Sequence, residues 1–203
     1  MKKIFKITSA FLVALLLSNN VSPALNILAA EKNEITTKKL DSQKQIESIA
    51  DQYIRFDSKS QEFKIDLENL KIVLPQEQVE NVVKQVNDTN EKIKNSLNNE
   101  NNEFSIYIVD SNNNKISLKE NLARKNGKND IEFYWNYARI YIDGNNVRLA
   151  VQAGFIIAGI HIPGKKIATV CGLLGLAAGE IRHGIWFDYN YFIGILCGNF
   201  GLQ

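Results

Sequence analysis

Between Val147 and Gly179 the chain is almost wholly apolar, yet glycine and alanine return within it at helical intervals. This stretch limits the possible folds more than any other. Glycine inside an aqueous helix costs roughly 1 kcal/mol relative to alanine, so a repeated glycine implies close packing. Val147 to Ile162 reads as one helix, interrupted in polarity only by Arg148, Gln152 and His161, with Asn145 or Asn146 as cap. Pro163-Gly164-Lys165-Lys166 reads as the turn, and Ile167 to about Gly179 as a second helix. Ala150, Gly154 and Ala158 then share one face of the first helix, and Ala168, Gly172, Gly175 and Gly179 one face of the second. Two small-residue faces across a short turn let helix backbones approach closely, as helices do in lipid.

Aromatic segments flank this hairpin. Ile131 to Ile142 (IEFYWNYARIYI) reads as one long strand and Ile185 to Ile193 as another, with Gly194 to Gln203 a small-residue tail. An antiparallel pair of 136–143 with 185–193 would cover one side of the hairpin. Trp135, Tyr137, Tyr141, Trp186, Tyr189 and Tyr191 then sit at its base, where a membrane-bound hairpin would need interfacial aromatics; ordinary sheet packing would use the same residues. Lys165 and Lys166 would meet anionic headgroups first. Arg148 and Glu180 fall near the same end and could pair. A helix crossing a bilayer needs about 20 apolar residues, and both runs are shorter, which suits a buried core hairpin or a re-entrant one.

The front of the chain differs in kind. Lys2, Lys3 and Lys6 precede the apolar run Ala10 to Leu17, which is too short for a stable anchor. Cleavage sites follow at Ser22-Pro23-Ala24 and at Ala29-Ala30, so residues 1–30 read as a signal peptide. The expectation is a secreted, extracellular protein, possible membrane association being left to the hairpin. Residues 31–130 read as a polar, thin-cored α+β module, only partly ordered. It holds an amphipathic helix over 31–57, a strand over 62–67, a helix from Pro75 to about Leu97, and strands at 104–109 and 115–118. The expected fold class is therefore α+β: signal peptide, polar module, then a strand–helical hairpin–strand module over 131–203.

Charge excludes one class of partner. Residues 31–135 carry 16 Lys and Arg against 19 Asp and Glu, a net of −3; from 136 onward the count is 5 against 3, a net of +2. A near-neutral mature chain argues against nucleic acid as partner. Cys171 and Cys197 could form a disulfide after export, although Cys171 also fits as a small buried hydrophobe. His161 and His183 lack neighbours at metal-ligand spacing. No catalytic motif is present, and no cofactor or enzymatic activity is expected.

The signal peptide, YARIYID, the Gly/Ala hairpin and the closing GIWFDYNYFIG resemble small secreted toxins and bacteriocin-like proteins of Gram-positive bacteria. The resemblance lies mainly over 136–194 and is compositional. It implies a non-enzymatic, membrane-directed toxin, with the 145–183 hairpin inserting into or perturbing a target membrane and open to self-association. Unlike short bacteriocins, this chain keeps a long module at 31–130 and no double-glycine leader boundary. Two other readings stand beside it: a secreted binding protein whose hairpin is soluble core, or a surface protein held on its own cell by the hairpin.

Overall fold

The computed structural model describes residues 43–99, 104–120, 127–176, 184–191 and 194–203, with the side chains of 196–198 excepted. The signal segment, Gly179, Glu180 and His183 lie outside the described residues. Two compact units are distinguished, Met1–Glu47 and Ser48–Gln203, and apart from the helical residues 43–47 the following concerns the second.

Local chemistry sets the early elements. Residues 43–50 are helical (α1), and the chain then turns into a hairpin of β1 (Ile54–Asp57) and β2 (Glu62–Ile65). The helix read over 31–57 therefore ends earlier, because Ile54 and Phe56 are drawn into strand pairing with Ile65 and Phe63. Asp66 then caps a short helix, α2 (Leu67–Val73), its carboxylate accepting from the Asn69 amide. Pro75 opens the long helix α3 (Gln76–Asn98), which buries Val79, Val82, Val86 and Ile93 along one stripe. Asn90 of α3 clamps β2 by hydrogen bonds to both the amide and the carbonyl of Phe63, at 2.8 and 2.9 Å.

A six-stranded mixed sheet follows. Its strands are β3 (Ser105–Val109), β4 (Lys115–Lys119), β5 (Asp130–Phe133), β6 (Ala138–Ile142), β9 (Ile185–Asn190) and β10 (Gly194–Leu202), in the order β10-β9-β6-β5-β3-β4. Only β3 and β5 run parallel. The fold is mixed α and β. Residue 130 is no boundary within it, since β3 and β4 share the sheet with the strands of 131–203.

Two further sequence expectations are corrected here. The stretch 131–142 is two antiparallel strands, because the Tyr134 amide bonds the Tyr137 carbonyl and folds the chain back. The tail is strand β10. The pairing of β6 with β9 is antiparallel, with Arg139 opposite Asp188 and Ile140 opposite Phe187.

Strict alternation divides the sheet into two faces. Ile106, Ile108, Ile131, Phe133, Ile140, Ile142, Ile185 and Phe187 are fully buried on one. The other carries Tyr107, Asp130, Glu132, Arg139, Tyr141, Trp186 and Asp188, as the strand register requires. Trp135, in the β5–β6 turn, ties the sheet to the helices. Its indole N–H donates to Asp51 and its carbonyl accepts from Thr89 of α3 at 2.8 Å.

Gln203 closes the opposite end of the sheet. Its side chain accepts from the Lys128 amide and donates to the carbonyls of Lys128, Ile142 and Ile185, at 2.9 to 3.1 Å. Gln203→Ala strands these groups and should cost about 1–3 kcal/mol, read as a lower urea midpoint at unchanged slope. An unchanged midpoint would show that water replaces the amide.

Candidate functional site

The connection between β6 and β9 holds most of the residues that the sequence singles out. Asp143 leads into helix α4 (Gly144–Ala153), its carboxylate accepting from the amides of Asn145 and Asn146. The cap is thus Asp143, and Asn145 and Asn146 lie inside the first turn. Helix α4 stops at Gly154, whose φ of 83° is cheap only for glycine and whose amide bonds the Ala150 carbonyl.

The single helix expected over 147–162 is therefore absent. Its second half is a hairpin of β7 (Phe155–Ile157) and β8 (Ile160–Ile162), a two-stranded sheet of its own. Ala158 and Gly159 make the two-residue turn at φ 56° and 70°, the mirror-image geometry that suits strand twist. Pro163 and Gly164 to Lys166 are likewise no inter-helix turn. Pro163 precedes α5 (Gly164–Leu173), and Gly164, Lys165 and Lys166 form its first turn.

The close helix contact exists at a different glycine. A Cβ on Gly164 would collide with the Val151 carbonyl and come within 3.0 Å of that of Ala150. So α4 and α5 meet where Ala150 faces Gly164. Gly172 and Gly175, expected to line that seam, have nothing within 4 Å of a Cβ. Gly154 caps α4, Ala158 turns the hairpin, and Ala168 is exposed.

Each element buries one side. Val147 and Ala150, Ile157, Ile160 and Ile162, then Ile167, Val170 and Cys171 point inward. Lys166 reaches the Tyr189 ring at 5.5 Å, which ties α5 to the aliphatic side of β9. The outer sides present Leu149, Ile156 and Leu173, which are 63%, 69% and 66% exposed. Arg148 and Lys165 are exposed beside them. From Gly144 to Leu176 the chain has Arg148, Lys165 and Lys166 and no acidic residue. Cys171 is buried and free, burial pushing its thiol up, while the Cys197 side chain lies outside those described. Among the described residues no helix is long and apolar enough to cross a membrane.

The proposed aromatic belt is dispersed. Trp135 is buried at the β5–β6 turn, Tyr189 lies on the aliphatic face, and burial pushes the Tyr191 phenol up. Tyr141 and Trp186 lie on the opposite, charged face, which sequence reasoning did not assemble. There Arg139 donates from Nε and Nη2 to the two carboxylate oxygens of the fully buried Asp188, at 2.7 and 3.0 Å. The guanidinium lies 4.6 Å from the Trp186 ring centre. That ring crosses Gly201, where a Cβ would come within 2.6 Å of the indole nitrogen.

Lys115 pairs with Glu132 at 2.7 Å and Lys128 with Asp130 at 2.8 Å, with the Tyr141 hydroxyl also donating to Glu132. Lys115 sits 3.8 Å over Tyr107, and Lys128 sits 4.2 Å over Tyr141. Every acid on this face is matched by a cation, so its charge is spent internally. The hydrogen bonds that Arg139 donates to Asp188 hold it further above its usual range, and desolvation raises Tyr134, Tyr137 and Tyr141.

Comparison of the chain with protein-family models, with characterised proteins and with solved structures finds no match.

Two predictions follow the geometry. Gly164→Ala should destabilise by about 1–3 kcal/mol through overpacking, whereas Gly172→Ala should stabilise by up to about 1 kcal/mol; the reverse order in thermal melts would move the helix seam. The raised phenols keep their protons when the unfolded chain loses its own, near pH 10. Their contribution is complete below that pH and is lost progressively above it, as pH rises toward and through the higher values of the folded phenols. Stability should therefore fall above about pH 10, together with phenolate absorbance appearing later than for free tyrosine. Tyrosines that titrate like the free amino acid would refute the burial.

Proposed function

We propose that the chain is a secreted, non-enzymatic, membrane-active protein of the toxin or bacteriocin-like kind, acting on a target bilayer through the α4–β7–β8–α5 layer. One observation carries this reading. The layer turns Leu149, Ile156 and Leu173 to solvent among cations, over a stretch free of carboxylates, in a chain that is acidic ahead of it. Exposed apolar side chains with basic companions suit an anionic lipid surface.

Helices of ten residues are about 15 Å long, half of a hydrocarbon core of about 30 Å. The layer as folded therefore acts at the interface.

A second reading, a secreted binding protein, draws on the inner sides of the same elements. Ile157, Ile162 and Ile167 are fully buried, as in an ordinary soluble core.

The test is dye release from vesicles by the purified chain from residue 31. Release that rises with the anionic lipid fraction is expected. Neither release nor co-sedimentation at any composition would sink the membrane reading and leave the binding protein.

A further inference from the structure

We infer that the outer sides of α4, β7 and α5 form one docking surface for an anionic lipid headgroup layer, and that the layer binds without opening. The inference rests on the membrane reading above and names its partner and mode.

The exposed positions follow the period of each element. On α4 they are Asn145, Arg148, Leu149, Gln152 and Ala153, one face of a helix. On the hairpin, Ile156 and His161 are cross-strand partners and both are exposed. On α5 they are Lys165, Ala168, Thr169, Gly172 and Leu173, again one face. Leu149, Ile156 and Leu173 thus come one from each element, each carried on an element whose other side is buried.

Charge chooses the partner. Arg148 and Lys165 engage no carboxylate among the described residues, unlike Lys115, Lys128 and Arg139 on the charged sheet face. Cations beside apolar anchors, with no acid between Gly144 and Leu176, match a phosphate surface over hydrocarbon. The other exposed apolar cluster, Leu67, Ile72 and Val73 on α2, lies in a stretch where Asp66, Glu68, Glu77 and Glu80 outnumber Lys71. Those carboxylates would meet an anionic surface with repulsion.

Rigidity sets the mode. The anchors are already outside, so entry of three side chains into the headgroup boundary needs no unfolding. Opening the layer would instead break the α4–α5 contact at Gly164 and uncover Ile157, Ile162 and Ile167.

The experiment is co-sedimentation of the chain from residue 31 with vesicles of phosphatidylglycerol and phosphatidylcholine, against phosphatidylcholine alone. The triple variant Leu149→Ser, Ile156→Ser, Leu173→Ser should bind at least about tenfold more weakly, with an unchanged circular dichroism spectrum. Arg148→Gln with Lys165→Gln should lose roughly thirtyfold on anionic vesicles, at about 1 kcal/mol per cation, and nothing on neutral ones. Ile72→Ser should bind as the parent does. The amides of Ile157, Ile162 and Ile167, whose side chains are buried, should exchange hydrogen as slowly on the vesicles as in the free protein.

Parent-like binding by the triple variant, or loss in Ile72→Ser, would overturn this surface while leaving membrane action standing. Fast exchange at those amides in the bound state alone would overturn the folded mode. No binding by the parent chain would remove the membrane reading itself.

Discussion

The pairing of β6 with β9 closes a loop of about forty residues, and the whole layer of helices and hairpin hangs from that closure. The pair needs a lock, because loop closure costs entropy that local contacts do not repay. Arg139 and Asp188 supply it on one face of the two strands, with two parallel hydrogen bonds and an acid removed from water. Ile140 against Phe187 and Ile142 against Ile185 supply it on the other face. A carboxylate this deep is tolerable only with its partner in place, since losing one member of such a pair leaves a buried charge. The lock therefore specifies register as well as adding stability. A slip of one residue would turn Asp188 into the aliphatic face.

The same alternation explains how one sheet serves two environments. Its aliphatic side supplies the main core. Its other side is a lattice of cations over rings and acids under cations, closed on itself and offering little to an outside charge. The unspent charge of the C-terminal half lies on the layer instead, at Arg148 and Lys165. That division lets a chain of modest net charge keep one basic, apolar surface.

Much of the fold was legible. Valine spacing after Pro75 located α3, apolar alternation located β3 and β4, and the aromatic segments gave the β6–β9 pair. The failures have physical causes. Val147 to Ile162 satisfies a helical period in composition, but short apolar runs do not separate helix from strand. The deciding signals were two glycines: Gly154, fit to end a helix at positive φ, and the Ala158-Gly159 pair, fit to turn a hairpin between isoleucine-rich strands. The stretch 131–142 concealed its turn because Tyr134 to Tyr137 contain neither glycine nor proline. Of the candidate site, the glycine-mediated helix contact was foreseen in kind but placed at Gly172 and Gly175 instead of Gly164. The Arg139–Asp188 pair spans 49 positions and becomes readable only when the strand register is known.

The topology also orders events in time. The β7–β8 hairpin and the two short helices have contacts close along the chain and form within microseconds. The β6–β9 closure and the parallel β3–β5 pair are non-local and slower. The inner isoleucines of the layer lie between β6 and β9 in sequence, so the rate of one strand pairing sets how long the greasiest segment of the chain stays exposed during folding.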